Sequence, residues 1–414
     1  MLFYDLRKGL PFKMPDFTHF FLMTPADVKR YAVEVLHFFH TEDGIQCAEI
    51  GDGNINYVTR VWSEATGRSV IVKQADKLLR SSGRPLDINR NRLEARMLQL
   101  ERELVPELVP EVYRWDETMA AISMEDVSTY GNLRKELAVG RVYAHLAENL
   151  SDFLASSLLP TTDLILDRRE KKRRAQFFTN PDLCDITEDL VLTEPYFNYK
   201  NRNLITPGNE AFVEEFLYRD RALHKEVASL RNGFMNNAQA LLHGDLHSGS
   251  IFANARGVKI IDPEFAFYGP MGYDIGNVIA NLFFPWANKA FAAPEETETA
   301  AALETLICRL YDETRARLET LYDARVTFLL YRVPAFRAAY LDGVMADSLG
   351  YAGTEIIRRT VGDSKVPELT SVTEPILRVP MERALVKLGI ALIKNRGELH
   401  TGAALTEIFR LILA

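Results

Sequence analysis

The sequence has few cysteines, no net positive charge and no long apolar run, and each shortage excludes a class of protein. Its three cysteines lie far apart with no CxxC pair, which argues against a disulfide framework or a structural zinc site. A formal net charge of -8 leaves no overall basic footprint for binding nucleic acid. We found no run near the roughly 18 apolar residues of a membrane span, and no signal-peptide core. These absences predict a cytoplasmic protein that binds neither nucleic acid nor membrane.

One short basic run, RREKKRR at 168–174, stands out from this acidic background. A run of this kind can bind a polyanion, but a solvated helix face explains it equally well. We therefore read it as a solvated face.

Two domains are expected, because 414 residues exceed what one small core uses. The first third indicates strands, including SVIVKQA (69–75) and a hairpin within 109–127, with one helix at 86–105. After residue 130 the pattern becomes helical, and a hairpin at 250–262, turning at Arg256-Gly257, is the only later strand candidate. We predict an α+β fold with a strand-rich lobe, 1–126, and a helical lobe, 127–414. The later helices are expected at 132–158, 211–240, 272–283 and most of 298–414.

The stretches HGDLHSGSIF (243–252) and IIDPEF (260–265) place two aspartates on either side of the predicted hairpin. Phosphoryl-transfer enzymes use this order: the first carboxylate orients a hydroxyl and accepts its proton, and the second holds magnesium against the phosphates. Asp245 is therefore the candidate catalytic residue. Asp262 and Glu264 are candidate metal ligands, since Mg²⁺ prefers hard oxygen ligands.

His243, His247 and Asp274 each allow more than one interpretation. A metal site built on His243 and His247 would need a third nitrogen or sulfur ligand, and none is nearby. We expect His243 to fix the loop backbone and His247 to contact the loop or the substrate. Asp274 is expected to accept hydrogen bonds from the 243–247 backbone, to cap the helix that follows it, or to do both.

EIGDGNIN (49–56) reads as a glycine loop near phosphates, although Gly-Asp-Gly also forms ordinary hairpin turns. Its ATP-binding candidates are Gly51, Gly53 and Asn54. Lys73, on an apolar strand, would reach the α/β-phosphates, and its charge requires a buried partner. Glu94 is the expected partner and Glu101 a weaker one.

The segment Met124, Glu125 and Asp126 lies at the connection between the two lobes. Its backbone groups are expected to meet the adenine edge of ATP. Side-chain identity says little at such a position.

Together these residues resemble the 5-methylthioribose kinase family, in the aminoglycoside-phosphotransferase-like branch of the protein-kinase-like fold. The resemblance extends over nearly the whole chain, and HGDLHSGS with DPEFAFYGPMG is its most specific part. It implies a two-lobed fold, ATP and Mg²⁺ as cofactors, and phosphorylation of the 1-hydroxyl of 5-methylthioribose, a step of methionine salvage. It also implies a homodimer. The other matching stretches are EIGDGNIN, VIVKQA, LEARML, MEDVS, LCDITEDLVLTEPY, NRN (201–203) and EIIRRTVGD (355–363).

Ser250 stands where a general small-molecule kinase usually has an asparagine, five residues after the loop aspartate. The family shows the same departure, which implies that Asp262 and Glu264 hold the magnesium. The resemblance also implies that Arg358 and Arg359 contact the sugar or the γ-phosphate. From the sequence alone, IIRR is more often a helix end with solvated arginines.

Two other functions compete with this reading. Another small-molecule kinase of this fold would act on choline, homoserine or an aminoglycoside, but an arginine pair disfavours the cationic acceptors. A non-catalytic nucleotide-binding protein would be indicated by loss of Lys73, Asp245 or Asp262, and all three are present.

Overall fold

The chain folds into two units that we describe separately. The computed structural model describes residues 3–4, 11–12, 16–50, 56–78, 83 and 85–414. One unit comprises Met1–Gln99 and Pro110–Val127, and the other comprises Leu100–Val109 and Ser128–Ala414. The predicted glycine-loop residues Gly51, Gly53 and Asn54 lie outside the described residues.

A five-stranded antiparallel sheet organises the first unit. Its strands lie in the order β3 (Ile45–Glu49), β4 (Tyr57–Ser63), β5 (Ser69–Gln74), β7 (Ala121–Met124) and β6 (Val112–Asp116). Strand β5 lies inside this sheet and carries β-branched residues, which suit a strand packed on both faces. The hairpin predicted within 109–127 is confirmed as β6 and β7. The elements are β1 (Phe3–Tyr4), β2 (Pro11–Phe12), α1 (Pro25–Glu34), β3 (Ile45–Glu49), β4 (Tyr57–Ser63), β5 (Ser69–Gln74), α2 (Arg90–Leu104), β6 (Val112–Asp116) and β7 (Ala121–Met124).

Helix α1 was missed by the expectation that the first third forms strands. Thr24 and Asp27 form a reciprocal capping box at its start, and Pro25 occupies the first turn. Its apolar residues, Tyr31 among them, join the core cluster that contains Val70 and Val72 of β5. That cluster covers one face of the sheet.

The second unit is mainly helical, and α10, α12 and α14 pack against one another at its centre. Helix α10 is buried along most of its length, as expected for a helix that is apolar on all sides. The elements are β8 (Gly131–Asn132), α3 (Leu133–Ala138), α4 (Leu146–Leu158), α5 (Arg168–Phe177), α6 (Pro181–Leu190), α7 (Glu194–Phe197), α8 (Glu210–Val213), α9 (Arg221–Asn236), β9 (Ala240–Leu242), β10 (Ile251–Asn254), β11 (Gly257–Ile260), β12 (Phe267–Gly269), α10 (Gly272–Ala292), α11 (Thr297–Arg325), α12 (Pro334–Val361), α13 (Pro367–Thr370), α14 (Pro375–Lys394) and α15 (Gly402–Leu413).

The predicted α+β class, a small antiparallel sheet and a helical majority, is confirmed. The hairpin β10–β11 is also confirmed, but its turn is Ala255-Arg256, because Asn254 pairs with Gly257. The expectation of no other late strand was wrong: β9 pairs with β12, and β8 pairs with β10. These strands have two or three residues each, too few to show a period-two pattern.

Two sequence-based exclusions can be compared with the structure. Among the described residues, no helix is both long and apolar enough to cross a membrane. Cys47, Cys184 and Cys308 are free thiols.

Candidate active site

The loop that carries Asp245 connects β9 to β10 in the second unit, and a glycine fixes its path. Gly244 has a φ of +82°, and a Cβ at this position would lie 2.4 Å from the carbonyl oxygen of Phe265. Any other residue would therefore clash with backbone as well as adopt a strained conformation. The HGD sequence thus has a steric requirement at its centre, directly before Asp245.

Behind this loop, Asp274 of α10 holds the backbone. Its carboxylate accepts hydrogen bonds from the backbone N–H groups of His243, at 2.7 Å, and Gly244, at 3.0 Å. Burial raises the pKa of Asp274 to about 7, against the opposing effect of these two N–H groups. Both contacts match the role expected for Asp274 in shaping the loop.

The imidazole of His243 joins the loop to the strand end that leads to Asp262. Its Nδ1 lies 3.3 Å from the backbone nitrogen of Asp245, and its Nε2 lies 2.9 Å from the carbonyl oxygen of Ile261. Since the carbonyl can only accept, Nε2 carries the proton and Nδ1 accepts from Asp245. The ring is thereby committed to backbone contacts.

Glu101 of α2 was expected only as a weaker partner for Lys73, yet it belongs to the second unit. It is 1% exposed, and neither carboxylate oxygen has a hydrogen-bond partner among the described residues. Burial, together with the charge of Asp274, raises the pKa of Glu101 well above its usual range. We call His243, Asp274 and Glu101 the support cluster.

His247 and Ser250 shape the other end of the loop. His247 Nδ1 accepts the N–H of Gly249 at 3.0 Å, and its Nε2 lies 3.6 Å from Asp245 Oδ2. Burial lowers the pKa of His247 to about 4, so the ring is neutral at physiological pH. Ser250 stands at the position where an asparagine is usual. Its hydroxyl donates to the carbonyl oxygen of Asp245 at 3.0 Å.

Arg358 and Arg359, near the end of α12, flank a glutamate that the sequence reading missed. Arg358 Nε lies 2.6 Å from one oxygen of Glu355, and Arg359 Nε lies 2.8 Å from the other. Burial acts to raise the pKa of Glu355, but the two guanidinium groups outweigh it and hold that pKa below its usual range. The spacing i, i+3 and i+4 was the signal that could have revealed this group.

The arginine pair also interacts electrostatically with the loop. The charge of Asp245 is among the influences that raise the pKa of Arg358, and the charge of Arg359 helps lower that of His247. The structure therefore brings together the predicted residues Asp245, Arg358 and Arg359. With Glu355 they form what we call the acceptor cluster.

Arg134 of α3 is a second residue that the sequence reading missed. Its Nε lies 3.1 Å from the Ser248 hydroxyl, and its Nη2 lies 3.3 Å from Asn281 Oδ1. Burial lowers the pKa of Arg134, while the Asp245 charge acts in the opposite direction. No local motif marks Arg134, because its partners follow more than 100 residues later.

Asp262 and Glu264 follow β11. Asp262 has a φ of +72°, a conformation that is uncommon outside glycine and often found at functional sites. The carboxylate oxygens of Asp262 and Glu264 approach within 4.8 Å of each other. Asn180 donates to the carbonyl oxygen of Glu264 at 2.9 Å and so anchors the segment. Two converging carboxylates fit a divalent cation that prefers oxygen ligands.

In the first unit, Lys73 lies on the sheet face opposite Val72, as strand alternation requires. Its Nζ lies 2.7 Å from Glu94 Oε1, and both side chains are almost fully buried. This contact confirms the expected pairing between strand and helix.

The segment 124–126 ends β7. The N–H of Glu125 donates to the carbonyl oxygen of Glu111 at 2.8 Å. The Asp126 carboxylate, which is largely buried, lies 2.6 Å from Arg60 Nε. These interactions fix the Glu125 backbone and the Asp126 carboxylate within the first unit. The expected contact of this segment with adenine stays a prediction.

Known proteins resemble this chain in sequence over most of its length. Residues 46–316 match the model of the phosphotransferase enzyme family. A methylthioribose kinase from Geobacillus sp. (strain WCH70) is 37% identical, with 88% of this chain and 90% of that protein covered. One from Geobacillus kaustophilus (strain HTA426) is also 37% identical, with 92% and 93% covered. A choline kinase structure from Cryptosporidium parvum Iowa II is 13% identical, with a TM-score of 0.48 and coverage of 88% and 96%.

Proposed function

The chain belongs to the phosphotransferase enzyme family, and from that premise we propose that it phosphorylates 5-methylthioribose with ATP. The product is 5-methylthioribose 1-phosphate, and the reaction is a step of methionine salvage. The near-complete alignment with two methylthioribose kinases supports this substrate. The observation that carries the proposal is the acceptor cluster, which combines a loop carboxylate with two arginines ordered on one buried glutamate.

In this proposal Asp245 orients the anomeric hydroxyl and accepts its proton. The support cluster holds the Asp245 backbone before substrate arrives, so little reorganisation is needed during the reaction. The low pKa of His247 makes this ring a neutral contact to the sugar rather than a competing base. Arg358 and Arg359 bind the sugar or the γ-phosphate, where their planar donors suit oxygen acceptors.

On the nucleotide side, Lys73 contacts the α/β-phosphates and Glu94 compensates its buried charge. The glycine loop with Gly51, Gly53 and Asn54 and the backbone of 124–126 complete the proposed ATP contacts. We propose Mg²⁺ as the divalent ion and Asp262 and Glu264 as its protein ligands. When bound, such an ion neutralises charge on the transferred phosphate group.

Glu264→Gln tests the metal assignment, because an amide is a weaker ligand for a hard cation than a carboxylate. We expect the Mg²⁺ concentration for half-maximal activity to rise about tenfold, about 1.4 kcal/mol of binding free energy, with an unchanged KM for the sugar. Electron paramagnetic resonance of bound Mn²⁺ provides a readout that does not depend on turnover. Glu295→Gln, at an exposed position, is the matched control. Equal losses in metal and sugar affinity would contradict the assignment.

The acceptor is tested by following ADP release with purified protein and several compounds. Methylthioribose should be the preferred acceptor over ribose, choline, homoserine and an aminoglycoside. Two arginines beside the loop disfavour cationic acceptors, which is why the choline and aminoglycoside alternatives rank lower. Activity with choline alone would overturn the proposed substrate.

We also propose that the protein is a cytoplasmic homodimer. An exposed apolar segment, which includes Phe328, Leu329 and Leu330, supports self-association, because large exposed apolar patches mark interaction surfaces. Light scattering coupled to size-exclusion chromatography gives the mass directly. A monomer at micromolar concentration would contradict the dimer.

A further inference from the structure

Helix α10 holds the Asp245 loop at both of its ends. At the start of the loop, Asp274 accepts two backbone N–H groups. About two helical turns further along α10, Asn281 lies beside the end of the loop, and its Oδ1 lies 3.3 Å from the Ser248 hydroxyl. Residues seven apart share a helix face, so one face of α10 serves both ends of the loop.

The side chain of Arg134, on α3, completes the second anchor. Its Nε donates to the Ser248 hydroxyl at 3.1 Å, and its Nη2 donates to Asn281 Oδ1 at 3.3 Å. Asn281 Nδ2 donates to the carbonyl oxygen of Asn277, so its Oδ1 is the atom that faces Arg134. Ser248 and Asn281 are each 1% exposed. A planar guanidinium with separated donors suits two acceptors, whereas an ammonium offers its donors from one point.

Backbone and side-chain groups next to Arg134 hold the same turn. The N–H of Arg134 donates to the carbonyl oxygen of Ser248 at 3.2 Å. Asn132 Nδ2 donates to the carbonyl oxygen of Gly249 at 2.7 Å. Strand β8, which ends at Asn132, pairs with β10, the strand that follows the loop. The backbone of 248–249 is therefore fixed from outside the loop.

That backbone in turn orients the ring of His247. The N–H of Gly249 donates to His247 Nδ1 at 3.0 Å, so in the neutral ring the proton is on Nε2. His247 Nε2 lies 3.6 Å from Asp245 Oδ2 and is thus a donor beside the proposed base. A Cβ on Gly249 would lie 2.7 Å from His247 Cε1 and 3.4 Å from Arg134 Nη1. The imidazole and the guanidinium are therefore close neighbours.

The charge of Arg134 also acts on this ring. Burial is the main reason that the pKa of His247 is lowered to about 4, and the charges of Arg359 and Arg134 act in the same direction. The charges of Asp245 and Glu355 act in the opposite direction. Loss of Arg134 would remove one of two positive charges that keep the ring neutral.

We propose that Arg134 is a positioning residue for the acceptor sugar: it holds the turn 247–249 so that His247 Nε2 stays beside Asp245 as a neutral donor. The inference rests on the proposed function, in which Asp245 is the base and His247 contacts the sugar. Arg134 acts through the turn and the ring. Its loss should therefore affect the sugar step and leave ATP binding unchanged.

Two substitutions separate the geometry of Arg134 from its charge. Arg134→Lys keeps the charge but not the two separated donors, and we expect kcat/KM for methylthioribose to fall about tenfold. Arg134→Gln loses both, and we expect a fall of about 100-fold, as for other small misplacements of catalytic groups. KM for ATP should stay at the wild-type value in both. Lys135→Gln, at an exposed position on the same helix, is the matched control and should behave as the wild type does.

The protonation of His247 gives a readout that does not depend on turnover. Nitrogen NMR, assigned with His247→Asn, should show a neutral ring from about pH 5 to pH 8 in the wild type and in Arg134→Lys. In Arg134→Gln the ring should gain more proton at the acid end of this range, because a positive charge has been removed. Protonation equal to that of the wild type, or wild-type kcat/KM in Arg134→Gln, would overturn the proposal.

Ser248→Ala keeps the test decisive if Arg134→Gln does not fold, since it removes only the hydroxyl that Arg134 binds. We expect Ser248→Ala to lower kcat/KM about tenfold, and the double variant with Arg134→Lys to lose no more than the larger single loss. Additive losses would show that the two residues act separately and would contradict the inference. A wild-type protein inactive on methylthioribose would instead contradict the proposed function, and the protonation of His247 would then decide the role of Arg134.

Discussion

The acceptor cluster and the support cluster each contain a buried glutamate, but the pKa values of the two carboxyl groups are shifted in opposite directions. Glu355 and Glu101 are both 1% exposed. Arg358 and Arg359 keep the pKa of Glu355 below its usual range, whereas burial without a hydrogen-bond partner raises that of Glu101 well above it. In the acceptor cluster, fixed charges orient the arginines proposed to bind substrate oxygens. In the support cluster, burial and the charge of Asp274 raise the pKa of Glu101, while Asp274 holds the loop backbone.

The comparison predicts that turnover depends on the acceptor cluster, and that replacing the two buried glutamates changes the pH dependence of stability with opposite signs. Asp245→Asn is the sharpest test, because an amide cannot accept the proton of the sugar hydroxyl. We expect turnover to fall by about 10²- to 10⁴-fold, with ATP affinity and the unfolding temperature unchanged. Steady-state kinetics, calorimetric ATP binding and thermal unfolding measure these three quantities. The surface variant Asp342→Asn is the control, and near-normal turnover of Asp245→Asn would remove the proposed catalytic role.

Glu355→Gln is expected to lower both stability and sugar binding, since it leaves two largely buried arginines without their carboxylate. The free energy of unfolding at neutral pH should fall by about 3–5 kcal/mol, and KM for the sugar should rise. Because the folded-state pKa of Glu355 is lowered, its contribution is present above the usual glutamate pKa of 4.5 and is lost as pH falls below it. Urea unfolding should therefore show a wide gap from the wild type near neutral pH and a narrower gap in acid. A gap independent of pH would contradict the ion-pair explanation.

Glu101→Gln should have the smallest effect on the free energy of unfolding. The pH dependence of this effect should have the opposite sign to that of Glu355→Gln. The folded wild type keeps a proton on Glu101 that the unfolded chain releases, so its stability declines as pH rises from the usual glutamate pKa of 4.5 towards the raised folded value. Glutamine does not titrate, so the free energy of unfolding of the variant should rise relative to that of the wild type as pH rises. Urea unfolding near pH 5 and near pH 7.5 measures this trend, and kcat should remain close to the wild-type value. A stability difference that does not change between these two pH values would contradict the raised pKa of Glu101.

The sequence predicted those parts of the molecule that depend on local signals. The β-branched run 69–75, the apolar spacing of 86–105 and the hairpin pattern of 250–262 all led to observed elements. Helix α1 was missed although Thr24, Pro25 and Asp27 form a local signal for a helix start. Strands β9 and β12 carry three residues each, and tertiary packing rather than any local pattern makes them strands.

The candidate active site likewise combines residues that local motifs predict with residues that only the folded chain brings together. Asp245, Asp262 and Glu264 lie in short motifs whose chemistry is readable, and Lys73 required a partner that the next helix supplied as Glu94. Arg134 was not predictable, because its contacts to Ser248 and Asn281 depend on the folded chain. Glu101 was expected beside Lys73 of the first unit but belongs to the second. Helix α2 contributes residues to both units, and the sequence does not show where along the helix the first unit ends.

The position of the transferred phosphate is the most direct test of phosphorylation at the 1-hydroxyl. Phosphorus NMR of the product formed from ATP and methylthioribose identifies the bonded oxygen through the coupling of phosphorus to the sugar protons. We expect a single product in which phosphorus couples to the anomeric proton, and no detectable product from Asp245→Asn in the same time. A phosphate on another hydroxyl, or the same product formed at the same rate by Asp245→Asn, would contradict it.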